Sequence, residues 1–268
     1  MANYPFVKIT SRDNSLLRRA RAVRDGDVDE ALFVEGLRLC EEAFRSGLKI
    51  ETVIYSERIV KKERAAKLIS ELERVAGKSA TVREKLLASI SCTKTPQGIV
   101  VLTSRPAITE NEFKRRQPPN PLLMVLHDIN NPVNAGAIIR TAEAAGATGV
   151  ITTAGTADPF SPKSLRGAMG AAFRLPIWIA HDYSKVIDWC RKQRIQIVGA
   201  DADGAQNYTE IDWRRPTALI MGSESEGLSV AEISAADHAV SIPMQGSTES
   251  LNVAVAAGIL LYEASRQR

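Results

Sequence analysis

Between Leu122 and Met244 the chain presents six short apolar runs rich in β-branched residues: LLMVLHDI, GVITTAG, RLPIWIA, IQIVGAD, TALIMGSE and HAVSIPM. Helical patterns such as AGAIIRTAEAAG and YSKVIDWCRKQR separate them. Runs this continuous read as strands buried on both faces, and their alternation with helices makes the sheet parallel. The second half is thereby confined to a parallel-sheet α/β domain. In such sheets ligands bind just beyond the carboxyl ends of the strands, so polar residues at those ends are the candidates for chemistry.

Three polar clusters lie there. HDINNPVNAGAIIR, residues 127 to 140, follows the first run; Asn130, Asn131, Pro132 and Asn134 suit a turn and the start of a helix, with Asn134 near the N-cap. Arg140 comes six residues after Asn134 in a helix otherwise built of Ala, Ile and Gly, where its long side chain either reaches solvent or serves the site. GSESEG, residues 222 to 227, follows TALIM. Its G-x-x-S-x-G spacing is not the G-x-S-x-G of a nucleophile elbow, and no His is suitably placed, which excludes a serine hydrolase. The segment is either a plain exposed turn or a loop whose Glu224 pairs with Arg140 or holds a hydroxyl. The third cluster, MQGSTESLN at 244 to 252, precedes an almost wholly apolar helix. Ser247 and Thr248 suit its N-cap and Glu249 its first turn, leaving Asn252 inside the helix as a polar group that needs a partner or a ligand.

The first half is of another kind. Residues 1–120 carry 23 Lys and Arg against 16 Asp and Glu, whereas 121–268 carry 12 against 15. Arg18, Arg19, Arg21 and Arg24 fall within one predicted helix, which is either a solvated face or a surface for a polyanion. Helical segments alternate with ALFVEG, IETVIYS and GIVVLTS, the pattern of a small α/β sandwich. The stretch TSRPAITENEFKRRQPPNP has four prolines and no apolar periodicity, as a linker does. We therefore expect a domain at 1–105, a linker at 106–120 and a second domain at 121–268.

Several function classes are excluded on the same grounds. Cys40, Cys92 and Cys190 form no CxxC pair, and His127, His181 and His238 have no ligand spacing, so neither a disulfide framework nor a metal site is expected. No window has the ~18 apolar residues of a membrane span, and MANYPFVKITSRDN lacks a secretory core, which points to the cytoplasm. The fingerprints GxGxxG and GxxxxGK[ST] are absent, so nothing supports a dinucleotide or nucleoside triphosphate phosphate site.

Taken in order, NPVNAGAIIRTAEAAGATGV, DPFSPKSLRGAMGAAFRLPI, IMGSESEGLS and IPMQGSTESLNVAVAAGILLYEA resemble the SpoU branch of the knotted RNA ribose methyltransferases. The first half looks like the substrate-binding domain that often precedes this catalytic domain, with TPQGIVVL as its most recognisable end. The resemblance implies an α/β domain with a C-terminal trefoil knot, a topology that general chain-connection rules disfavour. It implies S-adenosyl-L-methionine as methyl donor, bound against Gly222, Ile242, Met244 and Leu251, with Ala200 and Asp201 as a further wall. It also implies a catalytic set of Asn134, Arg140, Glu224, Ser250 and Asn252. In this scheme Asn134 orients Arg140, Glu224 holds Arg140 or a ribose hydroxyl, and Ser250 with Asn252 fixes the loop.

The reaction would be attack of a ribose 2′-hydroxyl on the sulfonium methyl, so the chain must align the hydroxyl and ease loss of its proton. A guanidinium is ordinarily always charged. Arg140 is thus either a neutral base in exceptional surroundings or a cation that grips phosphate and polarises the hydroxyl. Ser225 and Ala168 depart from the family pattern, which often has Gly and Ser there; the first bears on the donor loop and the second on RNA contact near Lys163 and Arg166. With Arg18 and Arg19, those two cations are the expected RNA contacts. A 2′-hydroxyl target means RNA. Ribosomal RNA is the expected substrate, with transfer RNA ribose methylation or a non-catalytic RNA-binding assembly factor as alternatives. The apolar last helix, rich in Ala and Gly, is expected to support a homodimer.

Overall fold

The computed structural model describes residues 7–268; the first six residues of the expected 1–105 domain lie outside the described residues. The chain divides into two compact units, one running to Pro106 and adding Phe160–Phe173, the other formed by Ala107–Pro159 and Arg174–Arg268.

In the first unit the order is β1 (Val7–Ile9), α1 (Ser15–Asp25), β2 (Ala31–Glu35), α2 (Leu37–Arg45), β3 (Ile50–Ser56), α3 (Glu63–Val75), β4 (Lys78–Val82), α4 (Glu84–Ala88) and β5 (Ile99–Ser104). The sheet order is β1-β4-β3-β5-β2, with β5 antiparallel to both β2 and β3 and the other pairs parallel. Strands β1 and β4 were not apparent in the sequence, because three residues, or five beginning with Lys and Ser, carry too little apolar pattern to stand out from the neighbouring helices. One sheet face packs Phe33, Ile54, Val82 and Leu102 against Leu17, Ala20 and Val23 of α1. By the period-2 alternation Leu32, Val34 and Val53 face the other way. Helices α2 and α3 lie against the same strands, giving the expected sandwich.

The second unit opens where the linker was expected. Thr109 and Glu112 form a reciprocal capping box that starts α5 (Glu110–Arg115). Phe113 is fully buried against Trp178 and Trp189, with ring centroids at 5.9 and 5.8 Å. Burying one such ring stabilises by about 2–3 kcal/mol, enough to dock a helix of two turns. A lone anchoring aromatic has no periodicity, so sequence reading leaves the segment as loop.

Next come β6 (Leu122–Leu126), α6 (Pro132–Ala144) and β7 (Gly149–Thr153); α7 (Pro162–Ala168) and α8 (Ala171–Arg174) follow in the segment that groups with the first unit. The remainder is β8 (Ile177–His181), α9 (Tyr183–Lys192), β9 (Gln196–Ala200), β10 (Gln206–Asn207), β11 (Thr217–Met221), α10 (Val230–Ser234), β12 (His238–Ser241) and α11 (Val253–Gln267). All six strands read from the apolar runs are present, and every pairing in the seven-stranded sheet is parallel. The order is β10-β12-β9-β11-β6-β7-β8. The carboxyl ends of β6, β9, β11 and β12 are thereby neighbours, and all three polar clusters issue from β6, β11 and β12.

Candidate active site

At the end of β6 the chain turns through Asp128, which has φ +55°. Asn131 then caps α6, its side chain accepting the Val133 N–H at 2.9 Å, and Pro132 occupies the first helical position, where it loses no bond. The N-cap is thus Asn131, and Asn134 sits in the first turn with its amide free to reach outward.

The loop after β11 closes on itself. Ser223 and Gly227 exchange backbone bonds at 3.1 Å each, and the Ser223 hydroxyl accepts the Glu226 N–H. Gly222 is required here: a Cβ would stand 2.4–2.6 Å from the Gly227 and Leu228 backbone. This turn presents Glu224 to the start of α6. Its carboxylate accepts the N–H groups of Asn130 and Asn131 at 3.1 Å each and the Asn134 side-chain amide at 3.2 Å. An anion at the positive end of a helix is doubly favoured, by orphan donors and by the macrodipole.

Two expectations are corrected at this point. Glu224 does not hold Arg140, because the nearer backbone donors and the helix end satisfy it. Arg140 stands about 9 Å further along α6 than Asn134 by helical rise, exposed and without a partner among the described residues. Asn252 is not inside the last helix; it is the N-cap of α11, accepting the Ala254 N–H at 3.0 Å. Ser247 and Thr248 precede the helix and do not cap it. The helix begins five residues after Thr248 because Val253, Ala257, Leu260 and Leu261 are its buried face, whereas Gly246 to Leu251 are all exposed.

The Asn252 amide has a second use: its Nδ2 donates to Asn134 Oδ1 at 3.3 Å. Asn252, Asn134 and Glu224, from three segments distant in sequence, form one hydrogen-bonded chain. Gly258 of α11 lies against α6, where a Cβ would meet the Thr141 methyl at 3.6 Å, so the two helices carrying these amides pack closely. Ser250 does not join the chain; it faces the adjoining cavity.

That cavity holds about 630 Å³ including its open mouth, and all five residues proposed for the donor line it: Ala200, Gly222, Ile242, Met244 and Leu251. Met221, Val240, Val253 and Leu260 extend the apolar wall, while Asp201, Glu249 and Ser250 supply polar groups. An apolar slot with carboxylates nearby suits a ligand that joins a flat heterocycle to a positive centre. Asp201 lines the cavity as the resemblance implied, whereas Glu249 as a lining group and the backbone donors of Asn130 and Asn131 as partners of Glu224 were not singled out from sequence; only the position of their loops beyond strand ends marked them.

A second network braces the same loops. His127 contacts the Thr153 hydroxyl at 2.6 Å and Glu232 at 2.8 Å, and its ring packs on Tyr183 at 4.5 Å. Burial raises the Glu232 pKa, but the Ser229 N–H and hydroxyl and His127 outweigh it, so the carboxyl sits below its usual range. The His127 backbone N–H donates to the Met221 carbonyl at 2.9 Å, tying β6 to β11 where both site loops begin.

In the first unit the expected RNA contacts separate. Arg18 and Lys163 are exposed and unpaired among the described residues. Arg19 is not available, since Glu51 at 3.0 Å and Glu30 at 3.7 Å hold it. Arg166 donates to the Cys92 sulfur at 2.8 Å, and that thiol in turn donates to Glu35 at 2.8 Å. Arg21 and Arg24 are likewise spent on the Arg12 carbonyl and on Asp25. The helix that looked like a basic face keeps few free cations because its own fold supplies the acceptors.

Among the described residues no group of side chains could hold a metal ion, and no helix is long and apolar enough to cross a membrane. Residues 121–262 match the SpoU rRNA Methylase family and residues 17–101 the MRM3-like substrate binding domain. A Synechocystis protein named as an uncharacterized tRNA/rRNA methyltransferase is 34% identical, over 98% of this chain and 95% of its own. The 23S rRNA (uridine(2479)-2'-O)-methyltransferase of Streptomyces viridochromogenes is also 34% identical, over 97% of this chain and 92% of its own. Among solved structures, the AdoMet-bound rRNA methyltransferase from Sinorhizobium meliloti superposes with a TM-score of 0.83 at 33% identity, covering 97% of this chain and 98% of that one.

Proposed function

Because the chain belongs to the SpoU rRNA methylase family, we propose that it transfers a methyl group from S-adenosyl-L-methionine to a ribose 2′-hydroxyl of ribosomal RNA, 23S rRNA being the target named in its characterised relative. The observation that carries this reading is the hydrogen-bonded chain Glu224–Asn134–Asn252 beside the cavity lined by Gly222, Ile242 and Leu251.

The donor fits the residues present. Met221, Ile242, Leu251, Val253 and Leu260 offer apolar surface, Gly222 brings backbone to the wall, and Asp201 and Glu249 compensate positive charge. When bound, the donor supplies an electrophilic methyl on sulfur. The chain's part is then positional and electrostatic. Glu224 fixes the turn before α6; Asn134 and Asn252 lock that helix to the loop that closes the cavity; Ser250 stands at the cavity with a hydroxyl for substrate or donor. Arg140 is a cation of this region without an ion pair among the described residues. Exposed and unpaired, it acts as a charged group that seats the phosphodiester and polarises the hydroxyl, rather than as a neutral base.

Residues 1–105 serve as the RNA-binding domain and residues 121–268 as the catalytic one. The insertion of β11 between β9 and β6, with β12 beyond β9, supports the trefoil knot for the C-terminal end. Val133, Val255 and Tyr262, more than half exposed on α6 and α11, support a homodimer through those helices. A ribosomal RNA target supports a cytoplasmic location. The test is transfer of labelled methyl to total ribosomal RNA and, separately, to transfer RNA. Labelling of the ribosomal pool by wild type and its loss in Arg140→Ala is expected. If the donor does not bind at all, the non-catalytic RNA-binding reading replaces the methyltransferase one; donor binding without labelling of either pool means that the substrate is another RNA or an assembly intermediate.

A further inference from the structure

The TPQG segment at 95–98, which the catalytic reading does not use, forms one wall of a second groove within the first unit. The groove holds about 880 Å³ including its mouth and is lined by Leu37, Ser56, Arg58, Ile59, Lys62, Glu84 and Thr95 to Gly98. It is mostly polar.

Three independent features converge there. The first is helix α2, nine residues long, which starts at the wall with Gly36 as its N-cap and no side-chain cap. Gln97 Oε1 takes the Leu37 N–H at 3.1 Å, and by helix geometry the next two N–H groups have no carbonyl beneath them. The second is the Ser56 hydroxyl: the residue is 1% exposed, and its Oγ has no hydrogen-bond partner among the described residues. Buried hydroxyls without a partner are rare, and this one lies at the groove. Gly98, at φ +96°, keeps the floor open, since a Cβ would stand 3.1 Å from that Oγ and 2.9 Å from Ile59 Cβ. The third is charge. Arg58 and Lys62 line the groove without ion pairs among the described residues, and Lys61 and Arg83 line the adjoining hollow. Glu84 is the opposing carboxylate, while nearby Glu57 is neutralised by Lys8 at 2.7 Å.

A helix N-terminus, an orphan hydroxyl and a cluster of cations together describe an oxyanion receptor. We infer that this groove is a phosphate site in the first unit that seats a backbone phosphate of the RNA; RNA as the source of that phosphate rests on the methyltransferase reading. Arg58 and Lys62 supply charge, Ser56 and the start of α2 supply neutral donors, and Gly98 allows the approach. The cations of α1, chosen from sequence, are largely spent within the fold, whereas these are not.

Two measurements on the full chain test it. In the first, inorganic phosphate is titrated while the amide resonances of Leu37 and Gly98 are followed; saturable shifts are expected in wild type and none in the double variant Arg58→Gln, Lys62→Gln. In the second, affinity for deproteinised ribosomal RNA is measured across salt. The double variant should bind about tenfold more weakly at physiological salt, with the slope of log K against log salt reduced by about 1 per lost phosphate contact. Lys78→Gln, at the opposite end of the strand that pairs with Ser56, should match wild type. Ser56→Ala should weaken RNA binding while leaving the melting temperature unchanged or higher, because a buried orphan is removed. Amides that phosphate leaves unshifted in wild type, or wild-type RNA affinity and slope in the double variant, would overturn the proposal. Phosphate shifts in a wild type that binds no ribosomal RNA would uphold the site and overturn the RNA reading instead.

Discussion

Glu224→Gln isolates the electrostatic part of the proposed catalytic scaffold while changing little in volume. In wild type the carboxylate accepts from Asn130 and Asn131 at 3.1 Å each and from Asn134 at 3.2 Å. Hydrogen bonds to a charged acceptor contribute about 1.5–3 kcal/mol each when dry. Glu224 is exposed, so water competes and about 0.5–1 kcal/mol apiece is the appropriate scale. The amide keeps one acceptor oxygen and turns an N–H₂ toward an N–H, for a net loss of about 1–2 kcal/mol concentrated in the turn before α6. Loosening that turn by about 1 Å displaces Asn134, and through it Asn252, a misplacement worth about 100-fold in rate. We therefore expect kcat/KM for methyl transfer to fall about 30- to 100-fold. Glu224 does not line the donor cavity, so the Kd for S-adenosylmethionine, read by calorimetry, should stay within about threefold of wild type. A variant retaining kcat/KM within threefold would refute the scaffold role, and a parallel loss of donor affinity would mean that Glu224 shapes the cavity instead.

Gly222→Ala forces a Cβ to within 2.4–2.6 Å of backbone atoms that cannot swing away; donor affinity should drop at least about tenfold by calorimetry, as the loop must move. For Glu35, burial raises the pKa, but bonds from the Cys92 thiol, the Ser91 hydroxyl, the Cys92 N–H and the Thr93 hydroxyl outweigh it and hold the carboxyl below its ordinary value. A depressed folded pKa means stabilisation that is full above the unfolded value, about 4.3, and lost as pH falls through the folded one; urea midpoints between pH 6 and 3 should therefore decline more steeply for wild type than for Glu35→Gln. Burial and the Glu35 bond push the Cys92 thiol from an ordinary 9.0 up to about 11, so its thiolate is about 100-fold scarcer at neutral pH than that of an unperturbed cysteine. Alkylation by iodoacetamide should be correspondingly slow and should accelerate in Glu35→Gln.

The sequence by itself determined the six parallel strands of the second half, because each is a continuous apolar run that only a doubly covered sheet accepts. It also determined that the polar clusters would issue from their carboxyl ends, and ordered motifs then pointed to a donor wall of Ala200, Gly222, Ile242, Met244 and Leu251, which one cavity does bring together. Local chemistry was legible in the same way where one residue acts on its neighbours, as at the Pro132 start of α6. The tertiary structure decided everything that depends on who stands opposite. Asn252 reads as helix interior until Val253 proves to be the first buried residue of α11, and Glu224 reads as a partner for Arg140 until the Asn130 and Asn131 N–H groups prove nearer. Arg19 reads as a free cation until Glu51, 32 positions away, closes on it, and α5 reads as linker until Phe113 finds two tryptophans. The physical reason is common to all four: a side chain's composition fixes what it can bond to, but its actual partner is set by long-range packing, and that information resides in no local stretch of the chain.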